Sequence, residues 1–171
     1  MMQAVHELGH ATATWATGGH VAKVVLHPLT FSRTESVGSA NQLAVVWNGP
    51  AAGVDLPLLI LVFAYAFRWK WIYLVQFFAG FCLIANGAYL ACGSFARVGD
   101  AGDLIRLGAP KWCLWLFGLI AVPLGLYLWN GLGPSFGRGE AKGKVDWRAA
   151  IGSAAVLAVV VIMEMSFSTS Q

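Results

Sequence analysis

Four long apolar runs constrain the fold of this chain more than any other feature of its sequence. Each is close to the ~20 residues that a helix needs to cross the hydrocarbon core of a bilayer. Aromatic and basic residues flank them, as at residues 68–71, where lipid headgroups would lie. The runs predict an integral, multi-pass membrane protein, and they cover residues 51–67, 71–92, 112–130 and 149–165.

The composition supports a membrane protein and excludes several other classes. The chain is 58% hydrophobic and 11% charged, whereas soluble domains carry about 25% charged residues. The net charge of +3 is spread over short loops, so no basic stripe indicates a nucleic-acid partner. Three cysteines without paired spacing indicate neither a disulfide framework nor a cysteine-rich metal site. The environment predicted for the chain is therefore a lipid bilayer.

The segment before the first run predicts a different kind of structure. Residues 2–17 form a predicted helix that ends at Gly18 and Gly19. Residues 21–26 and 42–47 are β-prone and have a Ser/Thr-rich turn between them, which predicts a hairpin. The fold class is thus an all-α polytopic membrane protein with about five hydrophobic helices, the first incomplete, and a small β-hairpin after the first helix.

The chain divides into three parts on this interpretation. Residues 1–130 form a membrane core, residues 131–148 a polar basic loop, and residues 149–171 a C-terminal transmembrane helix with a short tail. The first helix would be about 24 Å long, which is less than the ~30 Å hydrocarbon core. We therefore expect an apolar half-helix added upstream to stabilise the protein.

The stretch VHELGHA, residues 5–11, places three costly polar side chains in this apolar chain. On a helix, His6 and His10 project from the same face, so both imidazoles can reach one metal ion. Glu7, beside the first histidine, can accept a proton from an attacking water. Chance would produce this pattern about 0.004 times in such a composition. Packed core residues are the other explanation, but ionisable groups in membrane helices are usually functional.

A catalytic zinc ion requires a third protein ligand and an open position. Glu35 lies in the predicted hairpin turn, and His20 and His27 lie near the hairpin, where surface or strand roles are more common. The remaining candidates are Asp100 and Asp103. Two spans separate the hairpin from these aspartates, so the aspartate loop returns to the side of the membrane near which the histidines lie.

The two aspartates differ in their local sequence. Residues 104–107, followed by Gly108, predict a single helical turn with a glycine stop. Asp103 would then be the N-cap of that turn, with its carboxylate engaged by backbone N–H groups. Asp100 lies between two small residues, Gly99 and Ala101, and is sterically open to an ion. We therefore favour Asp100 as the third ligand and keep Asp103 as the alternative.

Several of these residues resemble the site-2 protease family of intramembrane zinc metalloproteases, in particular its compact bacterial branch. The similarity covers roughly residues 1–110 and is carried by residues 6–11, the Gly18–Gly19 step, residues 48–50 and residues 100–105. The resemblance implies a multi-pass protein of a bacterial inner membrane. It also implies zinc held by His6, His10 and Asp100, and Glu7 as general base. The family's Asn-x-x-Pro run and the leucine before its aspartate are absent here.

The sequence supports three hypotheses for function. The first is an intramembrane zinc metalloprotease that hydrolyses peptide bonds of membrane-protein or peptide substrates, with a zinc-activated water and Glu7 as general base. The second is a catalytically inactive zinc-binding membrane protein that binds or regulates a partner. The third is a transporter with an ion site at the membrane midplane, and this is the least favoured because no pair of related halves is visible.

Overall fold

The protein is built mainly of α-helices, as the apolar runs predict. The computed structural model describes residues 1–26, 32–139 and 145–169, and every element named here lies within them. A short 3₁₀ turn, Gly133–Phe136, follows the fifth helix. The all-α fold class with a small hairpin after the first helix is confirmed. In chain order the elements are α1 (Met2–Ala16), β1 (His20–Val25), β2 (Arg33–Val37), α2 (Gln42–Ala66), α3 (Ile72–Ala96), α4 (Gly99–Arg106), α5 (Lys111–Trp129) and α6 (Trp147–Thr169).

Four of the helices, α2, α3, α5 and α6, are long and apolar enough to cross a membrane. They coincide with the four apolar runs, although α2 begins earlier, at Gln42, and α3 continues to Ala96. Proline occurs inside α2 and α5, and neighbouring helices in a membrane can satisfy the backbone groups that proline frees. The described part of the chain therefore has the helices of a multi-pass membrane protein.

The first helix ends where the sequence predicts. Its last turn is closed by backbone hydrogen bonds from residues 17–19, and Gly18 has a φ of +77°. That left-handed conformation is one that glycine adopts without the penalty of a side chain. Immediately afterwards β1 pairs with β2 in an antiparallel hairpin, with an irregular register between Val21 and Lys23. The predicted helix and the first predicted strand are confirmed.

The prediction of a second strand at residues 42–47 is wrong, because these residues form the first turns of α2. Asn41 caps the helix, since its side-chain oxygen accepts a hydrogen bond from the backbone N–H of Ala44. Val45 is buried and Leu43 packs on the protein core, so packing outweighs the β preference of the valines. The strand that pairs with β1 is instead the polar segment that had been predicted as a turn.

The prediction of a helical turn that begins after Asp103, with Asp103 as its N-cap, is also wrong. Helix α4 begins at Gly99, so Asp100 lies in its first turn and Asp103 lies within it. The side chain of Asp103 forms an ion pair with Arg106 on the next turn instead of capping the helix. The predicted stop is confirmed, because α4 ends before Gly108, which has a φ of +93°.

Small residues bring the helices close together. A Cβ on Gly9 of α1 would lie 2.3 Å from the carbonyl oxygen of Asn48 in α2, and one on Gly125 of α5 would lie 2.6 Å from that of Gly80 in α3. Such close backbone approach is typical of helix contacts in membranes, where small residues line the interface. The α1–α2 contact is important for the site, since it places His10 against α2.

Candidate metal centre

Three potential metal ligands from two distant parts of the sequence converge in the structure. His6 and His10 project from one face of α1, with their ring centroids 4.9 Å apart. Asp100, in the first turn of α4, places Oδ2 2.7 Å from Nε2 of His6 and 3.5 Å from Nε2 of His10. Ligand atoms of all three side chains lie within 4.8 Å of one another. The predicted proximity of the histidines and the aspartate loop is confirmed.

Helix α2 shapes the pocket in which the His10 imidazole lies. A Cβ on Gly49 would lie 2.3 Å from the imidazole ring, so only a glycine leaves room for it at this position. One turn earlier along α2, the carbonyl oxygen of Val45 accepts a hydrogen bond from Nδ1 of His10 at 2.9 Å. This contact leaves Nε2 as the ring nitrogen that faces Asp100.

Hydrogen bonds to Nδ1 of both histidines leave their Nε2 atoms available for a cation. Nδ1 of His6 lies 2.9 Å from Oδ1 of Asn86, and Nδ1 of His10 lies 2.9 Å from the carbonyl oxygen of Val45. Because both partners accept hydrogen bonds, each Nδ1 carries a proton, and each Nε2 is the ring nitrogen that faces Asp100 and can bind a metal. Two such nitrogens and a carboxylate oxygen match the N and O donors that Zn²⁺ prefers.

Asp100 stays ionised in its partly buried position. Burial would raise the pKa of its carboxyl group, but the hydrogen bonds with His10 and His6 outweigh that effect and lower the pKa to about 2. Its backbone N–H donates a hydrogen bond to the hydroxyl oxygen of Tyr89 in α3 at 3.0 Å. This contact ties the first turn of α4 to α3 and holds the carboxylate toward the histidines.

Glu7 faces the same space but is held separately from the three converging side chains. It is 5% exposed, and its Oε2 accepts a hydrogen bond from the hydroxyl group of Thr34 in β2 at 2.7 Å. The hairpin therefore does more than connect α1 to α2, since one of its strands orients the glutamate. A carboxylate with a single donor keeps further lone pairs available for a water molecule.

A cavity of about 970 Å³ opens onto all four of these side chains. Its walls come from α1, β2, α2, α3 and the start of α4. This volume lies at the upper end of the range for small-molecule sites, so a segment of polypeptide could enter it. Residues 32–34 and Ser36 of the hairpin region form part of the wall near Glu7.

The other candidate ligands lie outside this cluster. Glu35 is in β2 and pairs with Arg33, and His20 is an exposed residue at the start of β1. Asp103 lines the cavity but pairs with Arg106. His27 lies outside the described residues. Of the two aspartates in the α4 sequence, the structure brings Asp100 to the histidines.

Sequence reasoning missed three residues that hold the site together: Thr34, Asn86 and Tyr89. Thr34 lies in a segment that was predicted to be a turn, so its contact with α1 was hidden. Asn86 gave a usable signal, because an amide inside an apolar membrane run is costly and therefore informative. Tyr89 is too common a membrane-helix residue to be singled out from sequence alone.

Comparison with known protein families matches part of the chain. The model of a family described as Peptidase M50B-like matches residues 1–89, which is just over half of the chain. The matched part contains α1, the hairpin, α2 and most of α3, and it stops before α4. No curated protein and no solved structure matches the chain.

Proposed function

This chain belongs to the Peptidase M50B-like family, which is the site-2 protease family, and on that premise we propose that it is an intramembrane zinc metalloprotease. The proposed ligands are His6, His10 and Asp100, and the proposed general base is Glu7. The single observation that supports this assignment best is the convergence of ligand atoms from α1 and α4 within 4.8 Å. The cavity that opens onto these side chains supports the same assignment.

The three side chains supply two neutral imidazole nitrogens and one carboxylate, a set that leaves a fourth coordination position open for catalysis. Bound zinc would lower the pKa of water to about 7 and polarise a peptide carbonyl group. The protein's contribution is to hold these side chains in a fixed orientation, through Val45, Asn86 and the backbone of Asp100.

Glu7 acts on the proton of the attacking water. Its carboxylate accepts that proton and then passes it to the leaving amine nitrogen, so the side chain ends the cycle ionised as it began. The hydrogen bond from Thr34 orients the carboxylate without neutralising it. Because Glu7 is not one of the converging ligand atoms, its removal should affect proton transfer and leave the metal in place.

The substrate we propose is an extended segment of a membrane-associated polypeptide. A helical substrate hides its peptide bonds in its own hydrogen bonds, so it must unwind before hydrolysis. The hairpin strand β2 lines the cavity beside Glu7, and an extended segment could pair with its backbone by strand addition. The catalytic glutamate would then lie close to the peptide bond of the paired segment.

Separate measurements of zinc and of peptide cleavage test this proposal. We expect the parent protein to hold about one zinc per chain and to cleave a transmembrane peptide, and Glu7→Gln to keep the zinc but lose cleavage. His6→Ala and His10→Ala should lose the zinc itself. Zinc loss in Glu7→Gln equal to that in the histidine variants would contradict the assigned roles. Zinc binding with no Glu7-dependent cleavage would favour the inactive zinc-binding protein.

A further inference from the structure

Asn86 is a polar residue deeply enclosed beside His6. It lies within the membrane-spanning helix α3 and is 1% exposed. Oδ1 of the amide faces Nδ1 of His6 at 2.9 Å, and Nδ2 donates to the carbonyl oxygen of Cys82 at 2.9 Å. Both ends of the side chain are therefore engaged by the protein, which compensates for the cost of burying an amide.

These contacts determine which nitrogen of His6 carries the proton. The carbonyl oxygen of Cys82 can only accept a hydrogen bond, so the amide nitrogen of Asn86 must face it. The amide oxygen then faces His6 and requires a donor there. Nδ1 of His6 is consequently protonated, and Nε2 is the nitrogen that faces Asp100 and can bind a metal.

Helix α2 is adapted to this amide. A Cβ on Gly53 would lie 2.7 Å from Oδ1 of Asn86 and 2.8 Å from Nδ2. A larger residue at position 53 would push the amide away from its hydrogen-bonding position. Three helices thus meet at the amide: α3 supplies it, α2 leaves space for it, and α1 presents the imidazole that it contacts.

The two histidines are supported in different ways. Nδ1 of His10 is held by a backbone carbonyl oxygen, that of Val45, and this contact does not depend on the side chain at position 45. Nδ1 of His6 is held by a side chain from another helix. His6 is therefore the imidazole whose Nδ1 partner can be removed by a side-chain substitution outside α1.

We infer that Asn86 is a positioning residue of the metal centre, which fixes the tautomer and the ring orientation of His6 through the hydrogen bond to Nδ1. The inference rests on the proposed zinc site and extends it to α3. Groups that hold the second nitrogen of a ligating histidine raise metal affinity by about 10- to 100-fold. Asn86 does not contact the reacting atoms, so its effect reaches the substrate only through His6.

Zinc affinity, measured by competition with a chelator in detergent, tests the inference. Asn86→Leu keeps the approximate shape but removes the acceptor, and we expect it to bind zinc about 10- to 100-fold more weakly. Asn86→Asp restores an acceptor and should bind within a few-fold of the parent. Gln76→Leu is the matched control, because Gln76 is also an amide of α3 but donates to Leu128 far from the site.

The outcomes separate this inference from the proposed function. Unchanged affinity in Asn86→Leu, or an equal loss in Gln76→Leu, would overturn the positioning role while the parent still binds zinc. A parent chain that binds no zinc would overturn the zinc site and the inference together. Failure of Asn86→Asp to restore affinity would show that the acceptor is not what matters.

A second measurement needs no change at position 86 and covers the case in which Asn86→Leu does not fold. ¹⁵N-histidine is incorporated into a zinc-loaded chain in which His20 and His27 are replaced by glutamine. Nuclear magnetic resonance should then show both remaining imidazoles protonated at Nδ1 and bound to zinc through Nε2. Binding of His6 through Nδ1 would overturn the inference.

Discussion

Helices α1 and α6 differ in how far the rest of the protein encloses them. Helix α1 buries four polar side chains: His6, Glu7, His10 and Thr14. Each has a hydrogen-bond partner within the protein. Helix α6 is mostly apolar, although it buries Glu164. Only 11% of its spanning window is buried against protein, compared with 39% for α2 and α3.

The difference follows from what each helix can expose to lipid. Hydrocarbon cannot hydrogen-bond to a carboxylate or an imidazole, so α1 must be enclosed by protein. Helix α2, the hairpin and the α3–α4 segment provide that enclosure. The apolar side chains of α6 lose nothing in contact with lipid chains. Most buried polar side chains in the described chain therefore lie around the candidate metal centre.

The largest expected effect concerns the two aspartates of α4, which differ in what they contact. Asp100→Ala removes the carboxylate that lies 2.7 Å from His6, and we expect zinc affinity to fall by orders of magnitude. Asp103→Ala removes a partly exposed ion pair with Arg106, which contributes at most about 1 kcal/mol, so the metal should stay bound. Chelator competition on both variants measures the difference. Zinc loss in Asp103→Ala with retention in Asp100→Ala would reverse the assignment.

A smaller effect on stability and zinc binding is expected when single glycines are replaced by alanine, one in α2 beside α1 and one in α6. Gly49→Ala in α2 places a Cβ 2.3 Å from the His10 ring. Overpacking of this kind costs about 1–3 kcal/mol, and displacement of the imidazole should also weaken zinc binding. Gly152→Ala in α6 meets no atom within 4 Å, so stability should stay the same or rise by up to about 1 kcal/mol.

Thermal unfolding in detergent measures the stability of both glycine variants, and zinc titration measures their affinity for the metal. A stability loss in Gly152→Ala as large as that in Gly49→Ala would mean that α6 packs against protein in solution more closely than its exposed surface indicates. Full zinc affinity in Gly49→Ala would show that the His10 ring can shift without loss of the metal. Either result would contradict the contrast between the tightly enclosed α1 and the exposed α6.

The sequence predicted the parts of the fold that depend on local composition. Length and hydropathy were enough for four spanning helices, and the glycines at positions 18 and 108 were enough for two helix ends. The spacing of His6 and His10 placed two side chains on one face, and the even number of spans brought Asp100 to the same end of the bundle. Each of these conclusions needed only one segment or a count of segments.

The missed features are of two kinds, contacts between distant segments and pairings within one helix. Residues 42–47 have β-branched side chains, yet they are helical because Asn41 caps them and α2 packs on the core. Thr34 and Asn86 reach Glu7 and His6 across 27 and 80 residues of sequence. Asp103 pairs with Arg106 within α4, although its sequence resembles that of an N-cap. No local pattern contains the partners of Thr34 and Asn86, so a single sequence could not reveal them. The Asn41 cap and the Asp103–Arg106 pair each join residues three positions apart, and the sequence did contain that information.

The smallest expected effect is at Asp146, which fastens the start of α6 to the α2–α3 connection. Hydrogen bonds from the indole N–H of Trp71 and from the N–H groups of Ala149 and Arg148 hold the pKa of Asp146 below its usual value of 3.8. A carboxyl group with a lowered pKa in the folded state stabilises it above that usual value, and the stabilisation is lost as pH falls through the lowered pKa. Asp146→Asn should thus lower the melting temperature at pH 7 by only about 1 °C, because the group is exposed. The difference from the parent should shrink as the pH falls below 3.8. A difference that stays constant with pH would mean that hydrogen-bond geometry, and not the charge, holds α6 in place.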